Sequence, residues 1–271
     1  MKRIIQSFAL LMAVLVPTAA CADELQPQTE TITVNGVSFT MVAVEGGTFM
    51  MGATAEQGDA ALSDEYPPHQ VTLSDYWIGQ TEVTQALWQA VMGNNPSDTH
   101  INLDYPVINV SWYDCQEFIK KLNQMTGKYF RLPTEAEWEF AARGGNKSQG
   151  CKYAGSDSID DVAWYLVNAY KVGKNSPDFG IHAVRTKAAN ELGLYDMSGN
   201  VLEWCQDRYD DCYSGEDQRN PTGPASGTDR VCRGGAWNMH ERCCRVSFRF
   251  NHHPWESFSR NLGLRLALWF L

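Results

Sequence analysis

From residue 145 onward Gly, Asn, Asp, Ser and Pro recur every few positions, and no helical or alternating period survives for long. Such punctuation predicts short strands joined by long ordered loops and excludes a coiled coil or a helical repeat. A loop-rich chain must still bury a core. Here 44% of the 271 residues are hydrophobic, and 9 Trp, 11 Tyr and 11 Phe can pin irregular segments to one another.

Regular structure is expected mainly before residue 145. Thr31 to Phe39 alternates apolar and polar residues around Asn35-Gly36, the pattern of a β-hairpin. Thr84 to Met92 reads as a helix stopped by Gly93, and Ser111 caps a second that carries Trp112, Cys115, Phe118, Ile119 and Leu122 to Gly127. Thr134-Glu135-Ala136-Glu137 is a capping box before Trp138 to Ala142, with Gly144 as its stop. The fold class is therefore α+β, a single mixed domain over 30–271 with little regular secondary structure, behind a polar linker at 23–29.

The first 22 residues have the order of a signal peptide: Lys2 and Arg3, an apolar run from Phe8 to Val16, then small residues. The apolar run falls short of the roughly 20 residues that span a bilayer. Ala20-Cys21-Ala22 fits ordinary cleavage, whereas Thr18-Ala19-Ala20-Cys21 resembles a lipobox that would make Cys21 a lipid anchor. Either route predicts export, as a periplasmic or cell-surface lipoprotein or as a secreted protein. Seven cysteines remain beyond residue 22, an odd number that leaves at least one without a partner in the chain, and no C-x-x-C occurs. A formal net charge of −10 without a basic stripe argues against nucleic acid as a partner.

Longer strings are more specific. Gly46 to Gly52, Glu82-Val83-Thr84, Pro106 to Trp112, Arg131 to Glu139, Gly193 to Trp204 and Arg233-Gly234-Gly235-Ala236-Trp237 occur in order, and together they closely resemble the formylglycine-generating enzyme (sulfatase-modifying-factor) family. The resemblance runs from about residue 40 to 267. It implies a C-type-lectin-like fold, often steadied by calcium. In its enzymes it implies oxidation of a sulfatase cysteine by dioxygen and copper held on two thiols.

The copper positions are only half filled. The resemblance places the first thiol at Met239 and the second at Cys244, and Ala236 and Cys243 replace the family's Ser and Tyr. A thioether is a weaker donor to Cu(I) than a thiolate. Cys243 would point away from Cys244 in an extended segment. Cys244 is thus the one candidate catalytic residue, copper belongs to the chain only if it is an oxidase, and the alternative for Cys244 is a buried or disulfide-bonded residue. Calcium carries over better: the side chains of Asp196 and Glu203 and the carbonyls of Gly199 and Val201 would supply hard oxygen ligands. The alternative is a metal-free turn closed by Asn200 and Glu203.

Trp237, His240, Phe250 and Trp255 are the expected ligand-binding residues, with Phe248 and Phe258 beside them and core packing as the equal alternative for Trp237 and Phe248. The stretch from Arg233 to Arg265 also resembles the variable tail of diversity-generating retroelement proteins. Its framework-like residues are Arg233, Gly234, Gly235, Trp237, Cys244, Arg245, Arg249, Pro254, Gly263 and Arg265. Three functions follow from the resemblance: a cell-surface module binding a protein, peptide or small molecule; an oxidase that makes formylglycine; and a variable display protein. Loss of the first thiol favours the first.

Overall fold

The computed structural model describes residues 28–269 apart from Phe258. The signal peptide, Cys21, most of the linker, Phe258 and the last two residues lie outside the described residues.

The expected hairpin pairs β1 (Thr29–Val34) with β2 (Val37–Val44), and Asn35 and Gly36 both take positive φ, 49° and 82°. A two-residue turn of that kind matches the twist of the strands it joins. Gln28 and Thr29, which their polarity assigned to the linker, already belong to the fold: Thr29 pairs with Val42, and the Ala43 N–H donates to the Gln28 carbonyl. Ladder hydrogen bonds use the backbone, so side-chain polarity marked the boundary two residues late. Next come β3 (Thr48–Met51), β4 (His69–Thr72) and β5 (Tyr76–Gly79).

The predicted helices follow. In α1 (Gln85–Met92) the Thr84 hydroxyl accepts the Leu87 N–H, and Gly93 ends the helix at φ 83°. In α2 (Trp112–Thr126) Ser111 and Asp114 form a reciprocal cap, and Gly127 closes it. After β6 (Phe130–Arg131), α3 (Glu135–Ala142) starts at the Thr134–Glu137 box, and all eight of its residues are buried. A helix buried on every side lies inside the protein and needs no polar face.

The second half is strand and loop: β7 (Leu202–Arg208), β8 (Gln218–Arg219), β9 (Arg230–Arg233), β10 (Phe250–His252), β11 (Leu262–Leu264) and β12 (Ala267–Trp269). Among the described residues these strands form three sheets, ordered β1-β2-β5-β12-β6, β10-β9-β7-β11 and β3-β4-β8. One core joins α1 and α2 to the first two sheets, where Trp88 stacks on Phe118 with ring centroids 4.9 Å apart. A second core surrounds Trp138 and Phe140 of α3.

Four arginines of the last forty residues bind these layers together. Arg233 pairs with Glu139, Arg245 with Glu65, Arg249 with Glu135 and Arg265 with Glu203, and all eight residues are buried. Each guanidinium brings five donors into a dry interior, so each needs a carboxylate and further acceptors there.

Candidate functional site

The region after β9 is shaped by its paired glycines. Gly234 and Gly235 have φ of 96° and 70°, and a Cβ on Gly235 would lie 2.5 Å from the Cys243 carbonyl oxygen and 2.9 Å from the Cys244 sulfur. Only glycine lets the chain pass this close to the turn that carries both cysteines. That turn, Glu241–Cys244, is a 3₁₀ turn and not the extended segment expected from the sequence. Its cause is local: the Cys243 N–H donates to the His240 carbonyl. Successive side chains of such a turn still diverge, by roughly 120°.

Cys244 is fully buried beside Tyr153, Val162, Ala163 and Tyr165, and its carbonyl accepts the Ser198 hydroxyl at 2.7 Å. Burial, reinforced by the neighbouring Cys243, pushes its thiol well above the usual range, and only the Ala236 N–H opposes this. Met239 sits elsewhere. Its half-buried side chain packs on the core cluster that contains Trp237. The two positions that the resemblance assigned to copper thus pack on different hydrophobic clusters, although both border Ala236, whose carbonyl accepts the Met239 N–H. All seven described cysteines are free thiols, so Cys244 is buried but not disulfide-bonded.

The four expected binding residues share no common aromatic cluster. Trp237 is 6% exposed, its ring packs against His100, Tyr170 and Phe179 at 5.4 to 5.9 Å, and its indole N–H donates to the Arg260 carbonyl. It is thus the inner wall of an aromatic patch whose outer members, half-exposed Tyr170 and partly exposed Phe179 and His100, were not identified from the sequence. Phe250 stands on β10 between Phe248 and His252. Trp255 is 66% exposed and lies over Tyr113 with centroids 4.0 Å apart, a second missed partner. His240 is exposed on a shallow depression with Glu241 and Arg242.

Burial sorts the tail. All ten framework-like residues named above are buried, whereas Asn238, His240, Glu241, His253 and Trp255 between them are exposed. Cys243, Ala236, Val246, Ser247 and Phe248 depart from the pattern, being buried although they lie between framework positions, and Met239, Phe250, Asn251 and His252 are only partly exposed.

The calcium residues lie in a tight turn in which Asp196, Gly199 and Asn200 all have positive φ. Asp196 accepts the Arg185 N–H at 2.8 Å. Glu203 is gripped by Arg265, and it also accepts the Trp138 indole N–H at 2.6 Å. Glu82, noted in the sequence only as part of the Glu82-Val83-Thr84 string, accepts the Val201 N–H and the Asn200 amide. Three buried carboxyls thus face one guanidinium. Burial and mutual repulsion push Glu82 well above the carboxylate range; burial foremost raises Asp196 to about 6. Hard oxygens with unbalanced negative charge fit Ca²⁺, although Glu203 would have to share its oxygens with Arg265. No group of three or more His, Cys, Asp or Glu side chains among the described residues is arranged to hold a metal by itself.

His182 lies beside this turn. Its ring stacks on Trp164 at 3.6 Å, and burial lowers its pKa.

Residues 26–269 match the family model of the sulfatase-modifying factor enzyme 1-like domain. The chain belongs to this family. Its relatives include a chaperone protein LppX of Paenibacillus barcinonensis, 36% identical over 78% of this chain and 83% of that protein. The formylglycine-generating enzyme of Streptomyces coelicolor is 31% identical over 94% and 96%. Among solved structures, Treponema denticola variable protein 1 superposes with a TM-score of 0.79 at 35% identity, covering 90% of this chain and all of that one. PvdO from Pseudomonas aeruginosa gives 0.71 at 25%, covering 85% and 94%. This sulfatase-modifying-factor domain thus has the mixed α+β, C-type-lectin-like fold that its sequence blocks implied.

Proposed function

We propose that this domain is an exported binding module, steadied by calcium, that engages a protein, peptide or small-molecule ligand at the cell surface and makes no formylglycine through a two-thiol copper site. The replacement of the first thiol by Met239, together with the complete burial of the second at Cys244, carries the reading. Cu(I) held for oxygen chemistry needs two soft donors converging on one point. Here one is a thioether packed on the core and the other a buried thiol held in its neutral form. Relatives whose names are a chaperone and a variable protein support a binding role within the family. Calcium would be held by Asp196 and Glu203 with the carbonyls of Gly199 and Val201, and would supply the positive charge that the buried carboxyls lack.

A test is to offer the purified protein copper, air and a Cys-x-Pro-x-Arg peptide. The peptide should stay unmodified and copper should not be held tightly; formylglycine that disappears in Cys244→Ser would establish the oxidase instead. The exposure of Asn238, His240, Glu241, His253 and Trp255 favours display as a second reading, because exposed positions tolerate changes of composition at little cost in stability. A near-copy of the segment encoding residues 233–265 beside a reverse transcriptase gene would support it, and the lack of such a copy would refute it.

A further inference from the structure

A cavity of about 220 Å³ lies away from the aromatic patch, between the start of α3, β4 and the loop that follows β7. Glu135, Asp207, Arg249, His69, Tyr213 and Cys212 are among its walls. The first four are each at least nine-tenths buried.

Its charges do not cancel. Arg249 is spent: Nε and one amino group bind Glu135 at 2.6 and 3.0 Å, the other amino group binds the carbonyls of Asp64 and Asp210, and Tyr213 covers the guanidinium at 4.2 Å. Arg233 binds Glu139 and also lies within ion-pair distance of Glu135, its Nε 3.7 Å from that carboxylate without a hydrogen bond; among the described residues no ion pair joins it to Asp207. Asp207 has no cation. It is 3% exposed, one oxygen accepts the Glu135 N–H at 3.0 Å, and the other has no hydrogen-bond partner among the described residues. Burial, with repulsion from Glu135, accordingly keeps its carboxyl well above the ordinary range. The loop at the mouth adds Asp210, Asp211, Glu216 and Asp217, all exposed, and contains no Lys or Arg between Tyr209 and Gln218.

We infer that this cavity is a binding site for a single cationic group on a slender chain, an alkylammonium or guanidinium, with Asp207 as its counter-ion. Uncompensated buried carboxylates are costly, and a bound cation would complete the pair. The volume lies below the roughly 300 to 1,000 Å³ of drug-sized sites, which suits one chain and not a ring system. The acidic mouth would raise the local concentration of cations. The ammonium could come from a free amine or from a basic side chain of a peptide. This inference is independent of the aromatic patch and of the calcium turn.

The test is a titration of the isotope-labelled full domain, followed by amide shifts of Tyr213, Ser214 and Gln218. The probes are cadaverine, Nα-acetyl-lysine amide and, as a neutral control, pentanol. Cadaverine or the lysine derivative should move these signals while pentanol does not, and whichever binds more tightly identifies the source. Asp207→Asn, whose side-chain oxygen can still accept the Glu135 N–H, should weaken binding at least tenfold, and Asp211→Asn less than threefold. Equal affinity in Asp207→Asn, or equal shifts with pentanol, would overturn the proposal. Should Asp207→Asn fail to fold, protection in the wild type decides: the cations, but not pentanol, should slow alkylation of Cys212 by a neutral reagent, and unchanged rates would refute the site.

Discussion

Removing Glu65 should be among the most damaging single changes away from any binding surface. Glu65 and Arg245 are both 0% exposed; Arg245 donates through two amino groups to the two Glu65 oxygens, one of them at 2.7 Å, and the Ser247 hydroxyl and Leu62 N–H complete the carboxylate's shell. Glu65→Met leaves a guanidinium in a dry site with only neutral acceptors, Gln57, Ser247 and the Arg242 carbonyl. Breaking a buried pair this way costs ~3–5 kcal/mol. At ~2–4 °C per kcal/mol for a domain of this size, the melting temperature should fall by about 6 to 20 °C. Arg245→Met should cost less, because a stranded carboxylate can take up a proton and a guanidinium cannot lose one. Replacing both with Met should cost less than either single change, since no charge is then left buried.

Acidity adds a second check on the same pair. Burial pushes the Glu65 carboxyl up, but the hydrogen bonds from Arg245 and Ser247 outweigh it and hold the pKa below 4.5. Its contribution is therefore present above pH 4.5 and lost as pH falls through the lowered value. In Arg245→Met the sign reverses, and the variant should lose less stability at pH 5 than at pH 8. Chemical unfolding of the three variants at both pH values measures all of this. A double variant as unstable as Glu65→Met, or a single variant within 1 kcal/mol of wild type, would refute the reasoning.

Three further outcomes are expected. Chelation should lower the melting temperature of the wild type and excess calcium restore it, by a few kcal/mol of linked stability at saturation, with no calcium response in Asp196→Ala; a response retained there rules the site out. Mass spectrometry of the mature N-terminus should show either a lipidated Cys21 or a start at Asp23, and an intact Met1 would refute export. Replacing Asn238, His240, Glu241, His253 and Trp255 together should leave the unfolding midpoint nearly unchanged while abolishing binding of a ligand found by screening, whereas a large loss of stability would show that these side chains support the fold.

What the sequence made legible was local. The caps at Thr84, Ser111 and Thr134 and the Asn35-Gly36 turn are each specified by residues within four positions of one another, so their signals survive without tertiary context. The Arg–Glu pairs were invisible because their partners lie 62 to 180 residues apart. The place of Glu82 beside Asn200 and Val201 escaped notice for the same reason, and so did the enclosure of Trp237 by His100 and Phe179. A tryptophan beside a glycine pair does not reveal whether it faces ligand or core, and here the ring turns inward. At Cys243-Cys244 the neighbour contacts were readable, but the 3₁₀ turn beneath them was not.

The position of β12 bears on how the domain comes into being. Residues 267–269 insert between β5 and β6, in the interior of the first sheet and not at its edge. Until they arrive, β5 and β6 have no common neighbour, and two open edges stand ready to pair with other chains. The first sheet therefore closes only through a pairing that spans most of the domain's sequence, with β12 reaching back to β5 and β6, and such long-range closure is a late event in folding. Losing residues 267–269 would remove an inner strand, and with it the link between the hairpin of β1 and β2, through β5, and the strand that leads into the buried helix.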